Sequence, residues 1–85
     1  MDDNLVTHQI ETMRTADIFF AAFLKTAAVP LYDVRKEDGR VNFYFEKTPG
    51  IDDLKRSYFN RKGKIVAMDF ADEYRALKTL TYELM

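Results

Sequence analysis

The chain has 85 residues, a formal net charge of −1, seven Phe, five Tyr and no cysteine. That length makes one domain with a thin core, burying only somewhat more than about 60% of its unfolded surface, and the aromatic content is that of a folded chain. The near-neutral charge excludes a global field for nucleic acid or an anionic membrane, and the missing cysteines exclude disulfides, thiolate metal sites and thiol catalysis.

The opening residues, MDDNLVTHQ, carry neither the positive nor the apolar region of a signal peptide. The longest apolar run, Ile18 to Leu24, is far short of the roughly 20 residues that span a bilayer. A cytoplasmic setting with no membrane partner is the expectation. Residues 1–14 read either as a tail or as an edge strand, since Val6, His8 and Ile10 alternate with Thr7, Gln9 and Glu11. Residues 15–85 read as the single compact domain.

A first helix is predicted over about 16–28. Thr15 serves as N-cap, Asp17 lies in the first turn, and Pro30 stops the run. Its apolar residues, Ile18, Phe19, Phe20, Phe23, Leu24, Ala27 and Ala28, exceed the single stripe of a surface helix. The helix is therefore either enclosed in the core or used to bind something.

A β-hairpin follows, Leu31 to Lys36 and Val41 to Glu46, around Asp38-Gly39. Asp-Gly suits a type I′ turn, in which both central residues need positive φ. The implied register pairs Glu37 with Arg40, Val34 with Phe43 and Tyr32 with Phe45. It gathers Tyr32, Val34, Val41, Phe43 and Phe45 on one face, and Asp33, Arg35, Asn42 and Tyr44 on the other.

A second helix is expected from Thr48 as N-cap and Pro49 at N1 to near Asn60, with Ile51, Leu54, Tyr58 and Phe59 apolar. Gly63 marks a turn. The last helix runs from about Met68 to Leu84 on a stripe of Phe70, Tyr74, Leu77, Leu80 and Leu84. Helix, hairpin, helix, helix makes a two-layer α+β fold, with the helices covering the apolar face of a small antiparallel sheet.

Catalytic chemistry finds little support. The single histidine, His8, has no companion ligands for a metal. The acid pairs Asp2-Asp3 and Asp52-Asp53 read as tail solubility and helix N-terminal charge. The three glycines are isolated turn residues, not a phosphate loop. The expectation is a protein that is not an enzyme, has no cofactor and holds no metal.

The segment LKRSYFNRKGKI, residues 54–65, is more suggestive. It carries Lys55, Arg56, Arg61, Lys62 and Lys64 without an acid, and encloses Tyr58 and Phe59. Cations with stacking aromatics grip single strands without sequence preference. The alternative is a helical stripe of Ile51, Leu54 and Tyr58 with solvated lysines around a turn. Arg35, Lys36 and Arg40 of the hairpin add charge. Phe19, Phe23 and Tyr44 are candidate interface residues, since aromatic anchors concentrate where proteins meet. They point to a homo-oligomer or a host-protein partner.

Several short stretches follow one another along the chain. Thr15-Ala16-Asp17 leads into Phe20-Ala21-Ala22-Phe23-Leu24. Val41-Asn42-Phe43-Tyr44-Phe45-Glu46 precedes Thr48-Pro49, then Tyr58-Phe59-Asn60, then Phe70 with Arg75-Ala76-Leu77-Lys78. Over about residues 13–80 this resembles an uncharacterised domain of unknown function from bacteria and their phages. The resemblance implies a compact α+β module and a phage or mobile-element accessory protein. It transfers no catalytic residue.

Overall fold

The computed structural model describes residues 11–60 and 67–84. Along the chain these form β1 (Thr12–Thr15), α1 (Ile18–Thr26), β2 (Leu31–Glu37), β3 (Arg40–Glu46), α2 (Ile51–Phe59) and α3 (Ala67–Leu84). The expected order of helix, hairpin, helix, helix is present, with a strand ahead of it. The alternation at Val6, His8 and Ile10 lies outside the described residues, as does Gly63.

β2 and β3 form the expected hairpin, Glu37 opposite Arg40 and Val34 opposite Phe43. Asp38 and Gly39 have φ of 52° and 75°, as a type I′ turn requires. β1 adds antiparallel to the other side of β3, Thr12 opposite Glu46 and Thr15 opposite Phe43, so the sheet order is β1-β3-β2. The register departs from expectation at one end. A bulge between Leu31 and Asp33 puts Leu31, not Tyr32, opposite Phe45. Tyr32 is the extra residue and stands 48% exposed instead of lining the core.

α1 lies over the inner face of the sheet and packs along α3. It buries Phe20, Ala21, Ala22, Phe23 and Leu24, which join Phe43, Phe45, Ile51 and Leu77 in one core. The two alanines let neighbouring elements approach closely, and the flanking phenylalanines fill the space beyond them. The broad apolar surface of α1 is therefore the mark of an enclosed helix.

The helix boundaries differ from expectation for local reasons. Asp17, not Thr15, caps α1: its Oδ1 accepts from the N–H groups of Phe19 and Phe20 at 2.9 and 3.2 Å. Thr15 is held extended as the last residue of β1, and its hydroxyl accepts from the Asp17 N–H. α1 ends two residues earlier than predicted, in a Schellman motif. Ala28 N–H donates to Lys25 O and Val29 N–H to Leu24 O, each at 3.0 Å, with Ala28 left-handed at φ 66°.

Thr48 and Pro49 do not cap α2 either. Ile51 N–H donates to Thr48 O at 3.1 Å, and Gly50 has φ 87°, ψ −4°. Thr48-Pro49-Gly50-Ile51 is a type II turn, with proline and glycine at the positions that turn prefers. The helix begins after it.

Candidate nucleic-acid interface

α2 is amphipathic by spacing. Ile51, Leu54 and Tyr58 face the core, Ile51 fully and the other two half-buried. Tyr58 enters an aromatic cluster, its ring 5.0 Å from Phe20 and 5.2 Å from Phe23. Burial, with a smaller contribution from the charge of Asp17, pushes the Tyr58 hydroxyl above its ordinary pKa.

Phe59 follows Tyr58 directly and turns outward. It stays 61% exposed while touching Phe20 at 5.6 Å and meeting Tyr58 edge-on at 5.3 Å. Asp52, Lys55, Arg56, Phe59 and Asn60 line a shallow cleft of about 320 Å³. Its apolar wall is the Phe59 ring and its rim carries Lys55 and Arg56. Arg56 also meets Asp53 at 3.1 Å, but both side chains are largely exposed, and such a pair holds little energy against another anion.

Lys55 and Arg56 are thus together on the solvent side of α2. Arg61, Lys62 and Lys64, the other cations of the segment, lie outside the described residues. With Asp52 and Asp53 close by, α2 itself is close to neutral, and the segment's cationic excess falls in 61–64.

The hairpin cations do not join this cleft. Arg35 lies opposite Asn42 and Arg40 opposite Glu37, on the sheet face away from the helices. Lys36 lies opposite Val41, with the parity of the inner face. Arg14 of β1 lies opposite Tyr44 and belongs to the outer face. There the Arg35 guanidinium sits 4.5 Å from the Tyr44 ring centre, and the Tyr44 hydroxyl donates to Glu37 Oε1 at 2.6 Å. Asn42 donates to the same oxygen at 3.3 Å and is only 8% exposed. Arg14, Glu37, Asp38, Arg40 and Asn42 border an open cleft of about 280 Å³ of mixed charge.

The candidate interface aromatics separate. Phe23 is 4% exposed and belongs to the core, so it offers no docking surface. Phe19 stacks on Tyr74 of α3, centroids 5.1 Å apart and planes at 11°, yet keeps 53% of its surface exposed. Tyr44 is half-buried within the outer-face network. Sequence reasoning missed two features of that network. The pattern puts Asn42 on the outer face without indicating its burial, and Arg14 lies in the 1–14 segment that reads either as a tail or as an edge strand. The available signal is the i, i+2 spacing of Asn42 and Tyr44, which share the outer face with Glu37 of the neighbouring strand.

The family model for a domain of unknown function, DUF5659, matches residues 11–83. The chain belongs to that family. Comparison with curated proteins and with solved structures finds no match. Among the described residues, no helix is long and apolar enough to cross a membrane.

Proposed function

We propose that this chain is a small, non-enzymatic, cytoplasmic binding protein of the accessory type carried by phages and mobile elements, and that it grips single-stranded nucleic acid at the C-terminal end of α2. The observation that carries this reading is the division of labour between neighbours. Tyr58 is spent on the core, whereas Phe59 presents a bare ring between Lys55 and Arg56, on the helix that precedes Arg61, Lys62 and Lys64 in the sequence. A base stacks on such a ring whatever its identity, and the cations follow the phosphates.

The test is a titration with labelled single-stranded and duplex DNA and RNA across salt concentrations. Phe59→Ala should weaken single-strand binding by about 5- to 150-fold, the equivalent of about 1–3 kcal/mol, and leave melting unchanged. Replacing Arg61, Lys62 and Lys64 by Ser should flatten the logarithmic salt slope by about 0.7 for each lost phosphate contact. Absence of binding at low salt would sink the reading.

A protein-binding reading is the alternative, and one observation favours it. Phe19 and, along α3, Leu80, Tyr82 and Leu84 keep apolar surface exposed. Exposed apolar side chains concentrate at interfaces, and self-association or docking to a host protein would cover them. Light scattering and Phe19→Ser separate this reading from the first, since Phe19 lies on α1, stacked on Tyr74 of α3, and not in the α2 cleft.

A further inference from the structure

Among the described residues β2 is an edge strand, and edge strands offer unpaired backbone groups to any passing strand. Which groups face outward follows from the turn. Glu37 and Arg40 close a two-residue hairpin loop, and the pair closing such a loop exchanges hydrogen bonds. Parity then directs the backbone groups of Asp33, Arg35 and Glu37 toward β3, and those of Val34 and Lys36 toward the open edge. The structure agrees: the Val34 N–H is taken by the Asp33 side chain, Oδ1 at 2.8 Å. The other oxygen of that carboxylate accepts from Arg35 Nε at 2.7 Å. One carboxylate is thus folded over the middle of the edge and clamped there from two sides.

The edge it covers is complementary to itself. Two antiparallel registers let the outward groups of one copy meet those of another. Centred on Arg35, the pairing sets Arg35 against Arg35 and Asp33 against Glu37, like charge on like, which is unfavourable. Centred on Val34, it sets Val34 against Val34 and Asp33 against Arg35 twice. We propose that β2 is a latent self-pairing edge, closed by the Asp33 carboxylate, and that its occupant once opened is a second copy of this chain, antiparallel about Val34.

Two substitutions open the clamp without removing an oxygen that can face Arg35 of the second copy: Asp33→Asn, which deletes the charge, and Asp33→Thr, which also shortens the side chain and favours strand. Sedimentation velocity over a concentration series should show the sedimenting mass of either variant rise toward twice that of the unmodified chain. Lys36 amide exchange should slow over the same range. Adding Lys36→Pro removes an outward N–H from an exposed position and should return the mass to that of the unmodified chain. The proposal is overturned if both Asp33 variants keep that mass at every concentration. It is equally overturned if the doubled species survives Lys36→Pro, because the new contact then lies on another surface.

Discussion

α1 and α2 are both nine-residue helices, and they do opposite things with their side chains. α1 buries five consecutive residues, so no side of that stretch is left to water. α2 buries Ile51 alone, leans Leu54 and Tyr58 on the core, and gives the rest of its circumference to charge and to Phe59. The lesson is about aromatic residues in a thin core. Phe20, Phe23 and Tyr58 hold the helices together, and an adjacent aromatic, Phe59, is left over for display.

The sharpest way to break that contrast is to truncate one aromatic from each side of it. Phe23→Ala should cost about 3–5 kcal/mol, because a large buried ring is lost from a site walled by other rings. In a domain whose total stability is of the order of 5–15 kcal/mol this lowers the denaturation midpoint steeply. Phe59→Ala should stay within about 0.5 kcal/mol, the usual range for an exposed substitution. Urea titration of the two variants checks both, and equal losses would erase the distinction between scaffold and display helix.

The ends of the two helices sharpen the comparison next. α2 starts from a glycine at φ 87°, whereas α1 finishes on an alanine at φ 66°. An added Cβ at Gly50 meets no atom within 4 Å, so only backbone strain opposes a side chain there. Gly50→Ala should therefore destabilise by about 1 kcal/mol, the cost of the left-handed region for an L-residue. The reverse exchange, Ala28→Gly, relieves such strain at the position of a Schellman motif where glycine is usual. It should stabilise by about 0.5–1 kcal/mol and raise Tm by a few degrees. A fall in Tm for Ala28→Gly would mean that entropy regained by the unfolded chain outweighs the relieved strain.

The smallest effect is a pH dependence. Burial raises the Tyr58 pKa above its ordinary 10.0, so the native state holds that proton longer than the unfolded chain does. The resulting stability is complete below pH 10.0 and is lost as the pH climbs from there toward the folded-state value. Tyr58→Phe should flatten the decline of Tm above pH 10.0, and parallel alkaline profiles would place the hydroxyl in water.

Much of this fold is legible where signals are local and chemically narrow. Asp38-Gly39 set the hairpin register because few residue pairs accept positive φ twice. The stripe on α3 placed that helix to within a residue of its observed start. Less could be read where two local signals compete. Thr15 and Asp17 are both good caps, and the pairing of β1 with β3, which no local pattern reveals, decided between them. Thr48-Pro49 is equally good as a helix start and as the first half of a type II turn, and Gly50 chose the turn. Of the candidate site, the cations Lys55 and Arg56 were readable. That Phe23 would vanish into the core while Phe59 stayed out depends on which side of α1 meets α2, a tertiary fact.

The position of β3 has a consequence for the order in which the sheet is made. Among the described residues it is the central strand of the sheet, yet it comes last of the strands in chain order. β2 reaches it through one tight turn, a contact that forms on the microsecond scale of hairpins. β1 meets it only after the intervening chain, with α1 inside, has closed into a loop from Thr15 to Phe43, and that closure carries an entropy cost the hairpin avoids. The β1–β3 ladder is therefore expected to form late and to open first. Native-state amide exchange should show it opening at a lower free energy than the β2–β3 ladder. The N-terminal strand is then the detachable part of the domain, able to leave and return while the hairpin stays folded.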